Sequence, residues 1–360
     1  MKIIHCSDIH LGASMRTHLT PDRAKKRQEE LLSTFSRMVD YAITNDVEGI
    51  IIAGDLLDTD ECDLKTRNFL INTIKNASKI QFYYLCGNHD ENSVLIRGDE
   101  LPANLNIFGN KWTTFKLGGV NITGVTLGDD NRATYDSLSL PAMDFNIVVL
   151  HGGDVHGTAT DEPDTVNLDL LKNKKIDYLA LGHLHTYRAG KLDSRAEYCY
   201  SGCLEGRGFD ECGEKGFVLL DISPSNHLET QFIPFARRTL HEVYVNITGL
   251  MNTHDIIKEI EENIEDISAD SLVRVVLTGE FTIKTEKHTT LMLAKLEPKF
   301  FYVTIKDKSR LKLDIDKYAN DVSIAGEFVR QVRASDLDEE EQRRVIALGL
   351  HALAGEEVEL

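Results

Sequence analysis

Apolar positions along this chain follow two periodicities, and their order predicts the architecture of its first half. A β-rich run at 2–6 precedes a charged stretch at 22–45 in which Leu31, Leu32, Phe35, Met38, Val39 and Ala42 recur at three-to-four spacing, the stripe of an amphipathic helix. Residues 49–53 read as a second strand, 63–77 as a second helix and 80–86 as a third strand. Strands alternating with helices imply parallel strands flanked by helices. From residue 120 the pattern becomes a series of short apolar runs, at 120–126, 147–150, 178–181, 197–200 and 217–222, with fewer long helices between them. These predict a second sheet packed on the first, and so a four-layer α/β/β/α sandwich.

After Pro234 the alternation restarts, with strands at 242–247, 272–279 and 300–305 and helices at 253–267 and 285–296. Thr253 is the expected N-cap of the first of these helices, and Ile256, Ile257, Ile260, Ile264 and Ile267 form its apolar face. This is a small, separate α/β domain. A tail follows with two helices, near 323–333 and 337–354, the second closed by Gly355. Its stripe of Ile346, Leu350 and Leu353 is widened by Val345, Leu348 and Ala352, while Glu339, Glu340 and Glu341 crowd the first turn, where the helix dipole favours negative charge. The stripe could dock on its own chain or on a partner. The expected boundaries are 1–236, 237–309 and 310–360.

Composition narrows the class. At 360 residues the chain exceeds one ordinary domain, and 42% hydrophobic with 27% charged residues excludes wholesale disorder. Residues 1–8 are too poor in apolar side chains for a secretory h-region, and no later run approaches membrane length, so a cytoplasmic protein is expected. Cys6, Cys62, Cys86, Cys199, Cys203 and Cys212 are dispersed and read as reduced thiols; a soft-metal site at Cys199, Cys203 and Cys212 would match no usual zinc spacing. A formal net charge of −18 opposes broad binding of nucleic acid by the whole surface, although bound cations or a partner subunit could supply positive charge locally.

Five short motifs close the apolar runs: Asp8-Ile9-His10, Gly54-Asp55-Leu56-Leu57-Asp58, Gly87-Asn88-His89-Asp90, His151-Gly152 and Gly182-His183-Leu184-His185. The carboxyl ends of parallel strands form one crevice, so motifs distant in sequence can converge there. Asp and Asn oxygens mixed with imidazoles suit Mn²⁺, Fe²⁺ or Zn²⁺, with manganese first, because Mg²⁺ or Ca²⁺ rarely recruits so many histidines. In an extended segment Asp8 and His10 would point to one side and chelate one ion, and His183 and His185 could fork to two. Asp55, with two oxygens, could bridge a metal pair about 3.5 to 4 Å apart. Gly54, Gly87, Gly152 and Gly182 would allow tight turns and close backbone approach. A lone strand-end histidine is usually a hydrogen-bonded structural residue; the ordered set of five motifs is what points to a metal centre.

That set resembles the signature of the calcineurin-like metallophosphoesterases over about residues 1–222. Within that superfamily the chain is similar to SbcD-type nuclease subunits, through Asp8-Ile9-His10-Leu11-Gly12, Gly54-Asp55-Leu56-Leu57-Asp58-Thr59, Gly87-Asn88-His89-Asp90, Tyr200-Ser201-Gly202-Cys203-Leu204-Glu205 and Glu214-Lys215-Gly216-Phe217. The resemblance implies Asp8, His10, Asp55 and His185 on one divalent metal ion, Asp55, Asn88, His151 and His183 on a second, and His89 as the catalytic histidine. It further implies cleavage of DNA phosphodiester bonds, a capping α/β domain, and a tail that docks an SbcC-type ATPase; whether the chain forms a homodimer stays open. Asp58 stands where some relatives carry histidine, and Cys203 where the family carries serine. A phosphatase or small-molecule phosphodiesterase would use the same metals, and a non-catalytic scaffold would be expected to have lost ligands.

Overall fold

The computed structural model describes residues 1–15, 19–59, 63–87, 101–128, 131–156, 164–312, 317–318 and 321–354, and divides into two compact units, Met1–Thr239 and Leu240–Leu360. In chain order the first unit contains β1 (Lys2–Cys6), α1 (Pro21–Thr44), β2 (Val47–Ala53), α2 (Leu64–Asn76), β3 (Gln81–Leu85), β4 (Leu105–Ile107), β5 (Thr113–Leu117), β6 (Val120–Gly124) and α3 (Asn131–Ser137). It continues with β7 (Phe145–His151), β8 (Gly153–Val155), β9 (Thr165–Asn167), α4 (Leu168–Leu171), β10 (Tyr178–Gly182), β11 (Arg188–Lys191), β12 (Glu197–Tyr200), β13 (Gly216–Ile222) and β14 (Leu228–Pro234).

Two six-stranded sheets result, ordered β14-β13-β1-β2-β3-β4 and β11-β12-β10-β7-β6-β5. The period of two along each strand sorts its side chains between layers. Ile3, Ile51, Tyr83 and Leu85 of the first sheet meet Ile147, Val149, Tyr178 and Ala180 of the second in the inter-sheet core. On the outer face of the first sheet, Ile4, Ile50, Ile52, Phe82 and Tyr84 pack with Leu31, Phe35, Met38 and Val39 of α1 and Leu70 and Ile74 of α2. Val148, Leu150, Leu179 and Leu181 pack outward with Tyr135 of α3 and with Leu168 and Leu171 of α4. This is the expected α/β/β/α sandwich. The helical stripe of α1 is buried as its spacing predicts, and α2 is capped by Asp63, whose side chain accepts from Thr66 N at 2.6 Å.

One strand lies elsewhere than its place in the series suggests. Residues 217–222 read as part of the second sheet, but β13 pairs antiparallel with β1 in the first. The edge of β1 opposite β2 needs a ladder partner, and β13 supplies one while sending Val218 and Leu220 to the inter-sheet core and Phe217 to the helical side. The apolar alternation of β13 would suit either sheet.

The second unit contains β15 (Leu240–Asn246), α5 (Thr253–Asn263), β16 (Leu272–Thr278), β17 (Glu280–Phe281), α6 (Thr289–Leu296), β18 (Tyr302–Asp307), β19 (Arg310–Leu311), α7 (Ile324–Arg333) and α8 (Glu339–Leu353). β15, β16 and β18 form a parallel three-stranded sheet. The cap of α5 is Asn252 rather than Thr253: Asn252 Oδ1 accepts from Asp255 N at 2.9 Å, while Thr253 Oγ1 donates to Glu286 O. Ser323 caps α7, and Asp338 with Glu341 forms a capping box on α8. Val329 and Val332 of α7 and Ile346 and Leu350 of α8 enter the same core as Val245, Ile256, Ile260 and Val275, while Leu353 stays 45% exposed. Among the described residues no helix is long and apolar enough to cross a membrane.

Candidate metal centre

The predicted motifs meet where strands of both sheets end. Asp8 lies two residues beyond β1, Asp55 two beyond β2 and Gly87 two beyond β3, while His151 closes β7 and His183 follows β10. The first two loops are laced together: Asp8 N donates to Gly54 O at 3.1 Å, His10 N to Asp55 O at 3.0 Å and Leu11 N to Leu56 O at 2.9 Å. Asn88, His89 and Asp90, like His18, Cys62 and Gly355, lie outside the described residues.

Backbone conformation marks the same residues. Asp8 (φ 51°), His10 (φ 49°), Asp55 (φ 49°) and His183 (φ 100°) all have positive φ, which costs an L residue roughly 1 to 2 kcal/mol. The extended geometry expected for Asp8 to His10 is therefore replaced by two left-handed residues. The convergence survives because the turns, rather than strand alternation, aim the side chains. Such strain concentrates at functional sites, where the surrounding structure holds it in place.

Asp8, His10 and His185 bring one ligand atom each to within 4.8 Å of one another, and so do Asp8, Asp55 and His151. Asp55 Oδ2 reaches both groups, 3.7 Å from His10 Nε2 and 3.5 Å from His151 Nε2. His183 joins neither group. Its backbone N donates to both Asp8 oxygens, at 3.0 and 3.1 Å, and its ring stands edge-on to His151 with centroids 5.4 Å apart. Asp8, His10, Asp55 and His151 are buried, while His183 and His185 are half-buried.

The hydrogen bonds decide which ring nitrogens are available. His151 Nδ1–H donates to Ala53 O at 2.9 Å, which leaves the lone pair on Nε2. His185 Nδ1–H donates to Glu211 Oε1 at 2.6 Å, with the same effect. His10 Nδ1 lies 3.3 Å from Asp58 Oδ1, and its Nε2 faces His185 Nε2 at 3.3 Å. Acceptors thus face acceptors: two imidazole lone pairs with the carboxylates of Asp8 and Asp55. Such a buried convergence of carboxylate oxygens and imidazole nitrogens is the donor set that a divalent cation complements. Two nitrogens each about 2.1 Å from one ion would stand roughly 3 Å apart, close to the observed spacing. The residues fit a metal.

Titration follows these contacts. Burial works to lower the pKa of His185, but the Glu211 hydrogen bond and the Asp8 and Glu211 charges outweigh it and raise the value. Burial and the neighbouring His151 lower that of His183, which favours a neutral ring. Burial would raise Glu211, yet the bond from His185 and the Arg207 charge bring it down to about 2.

Close packing of backbone on ligands appears where glycine was singled out. Gly54 has φ +96°, and a Cβ on it would collide with His151 Nδ1; a Cβ on Gly87 would collide with Asp55 Oδ1. Sequence reading missed Glu211 and Arg207, which carry no motif of their own and follow the last strand-end motif by more than twenty residues. Their loop is anchored by the buried Glu205, which accepts from Arg27 Nη1 at 3.1 Å, Thr34 Oγ1 at 2.7 Å and Arg237 N. The three clustered cysteines donate instead to backbone carbonyls, Cys199 to Tyr200 O, Cys203 to His185 O and Cys212 to Phe209 O. None of them belongs to the metal-holding groups found among the described residues.

The family model for calcineurin-like phosphoesterases matches residues 1–187. The chain is 26% identical over 318 residues to the uncharacterized metallophosphoesterase YhaO of Bacillus subtilis, covering 80% of this chain and 75% of that protein. It is 25% identical over 300 residues to the DNA double-strand break repair protein Mre11 of Sulfurisphaera tokodaii, covering 78% and 74%. Similarity to the SbcD component of the nuclease SbcCD of Escherichia coli K12, at 22% identity, runs through 99% of both chains.

Proposed function

Since this chain belongs to the calcineurin-like phosphoesterases and is a metal-dependent phosphoesterase, we propose that it hydrolyses phosphodiester bonds in DNA, as an exonuclease and endonuclease subunit. The observation that carries this reading is the extent of the likeness to the E. coli nuclease component, which continues through the second unit, well beyond residues 1–187. A compact phosphatase has no need of a second α/β unit. The acidic balance of −18 favours the alternative, a phosphatase or small-molecule phosphodiesterase, and a direct comparison of substrates separates the two.

In the proposed mechanism, two divalent cations, most suitably Mn²⁺, with Fe²⁺ or Zn²⁺ as substitutes, supply Lewis acidity toward phosphoryl oxygens and acidify water. Asp8, His10, Asp55 and His185 would hold one cation, and Asp55, Asn88, His151 and His183 would hold the other. Ala53 O and Glu211 fix the rings of His151 and His185 with Nε2 inward, so no tautomer change precedes binding. His89 donates a proton to the leaving oxygen or stabilises charge on the phosphoryl group, a contribution of about 10² to 10⁴ fold. Bound there, such cations would supply local positive charge for a phosphate on an otherwise acidic chain.

We further propose that residues 310–360 dock an SbcC-type ATPase. Val322 and Ile324 at the start of α7 are 99% and 78% exposed, and Leu337, Val345 and Leu353 are also solvent-facing. A cytoplasmic location accords with such a complex.

The test is cleavage of end-labelled single- and double-stranded DNA in Mn²⁺ by the wild type and by His89→Ala, with a phosphomonoester control. DNA loss confined to the wild type is expected. Phosphomonoester turnover without DNA loss would move the protein to the phosphatase class.

A further inference from the structure

Beyond the candidate ligands, one guanidinium joins the supports of two histidines. Arg207 Nη1 donates to Asp58 Oδ1 at 3.0 Å. Its Nη2 and Nε donate to Glu211 Oε1 at 3.1 and 3.2 Å, and its backbone N donates to Glu211 Oε2 at 2.7 Å. Asp58 is the carboxylate beside His10 Nδ1, and Glu211 is the one that accepts from His185 Nδ1. These carboxylates arrive on different loops, one after β2 and the other between β12 and β13. Two like charges brought together beside one site repel unless a cation lies between them.

We propose that Arg207 is a positioning residue for one of the two metal positions, the one to which His10 and His185 present Nε2. By clamping Asp58 and Glu211 in one fork, it fixes both imidazoles at the 3.3 Å separation of their Nε2 atoms. The other side has an independent support, since His151 is oriented by Ala53 O and Asp55 Oδ2 reaches it without Arg207. The loop carrying Arg207 is itself preset, because Arg27 Nη2 donates to Gly206 O at 2.8 Å and holds the adjoining Glu205. Loss of the guanidinium therefore weakens one metal position and spares its neighbour. The inference rests on the two-metal reading of the site and is independent of DNA as the substrate.

The experiment is Mn²⁺ binding to the full chain by equilibrium dialysis, with electron paramagnetic resonance to distinguish a coupled manganese pair from isolated ions. Wild type is expected to bind two ions and show the coupled spectrum; failure to do so would remove the two-metal reading itself. Given that, Arg207→Gln should lower the affinity of one position by about 10- to 100-fold and convert the spectrum to isolated Mn²⁺, with the second position unchanged. Arg207→Lys retains the charge but cannot span both carboxylates, so it should restore less than half of the lost affinity on a logarithmic scale. Glu211→Gln, a near-isosteric change, should weaken the same position. Two wild-type affinities in Arg207→Gln, equal weakening of both positions, or full rescue by lysine would each overturn the proposal.

Discussion

His151 Nδ1 donates across the sandwich to the carbonyl of Ala53, so the last residue of β7 is fastened to the last residue of β2. This bond does two jobs: it ties the two sheets at the floor of the site, and it fixes the ring nitrogen left facing Asp55. It is feasible only because the residue after Ala53 is glycine.

Gly54→Ala tests that arrangement. The added methyl would strike His151 Nδ1, and φ of +96° is unfavourable for alanine in its own right. Displacing the ring breaks the Ala53 bond and misaims Nε2. We expect a loss of about 1 to 3 kcal/mol in urea unfolding and at least about 100-fold in Mn²⁺-dependent phosphodiester hydrolysis. Hydrolysis at the wild-type rate would show that the His151 orientation is unimportant.

The strand-end positions of the motifs were legible because hydrophobic runs and the residues that follow them are both written in the sequence. What converges is harder to read. Asp8 and His10 would suit one side of an extended segment, yet both adopt left-handed backbone conformations, a property of the interlaced loops that no alternation pattern encodes. Phe217, Val218 and Leu220 announce a strand, whereas the free edge of β1 decides which sheet it joins. Arg207 and Glu211 could not be singled out at all, because their importance comes from contacts with Asp58 and His185, which are 149 and 26 residues away along the chain.

Arg27 and Glu205 supply a second prediction. Both are essentially buried, with Nη1 to Oε2 at 3.1 Å, and the pair fastens α1 to the loop bearing Arg207. Removing Arg27 leaves the buried Glu205 carboxylate without the guanidinium it faces. Arg27→Met should therefore cost about 3 to 5 kcal/mol, and Arg27→Met with Glu205→Gln should be less destabilised than the sum of the single changes. Chemical unfolding of all four proteins measures the coupling; strict additivity would mean that the two charges do not depend on each other.

His5 sets a pH dependence that is separate from the metal centre. It is fully buried between the sheets, with Nδ1 2.9 Å from Tyr178 Oη, and burial lowers its pKa from 6.5 to about 3 despite a smaller opposing bond with Leu181. Between those two values the unfolded chain takes up a proton that the folded chain refuses. The stability associated with neutral His5 is thus complete above the unfolded value near 6.5 and declines as the pH falls toward about 3, at a limiting slope of about 1.4 kcal/mol per pH unit. From pH 7.5 to 5.0 the wild type should lose about 2 kcal/mol more than His5→Gln, whose amide does not titrate, in parallel urea denaturations. Equal losses in the two proteins would mean that His5 accepts a proton within the folded core.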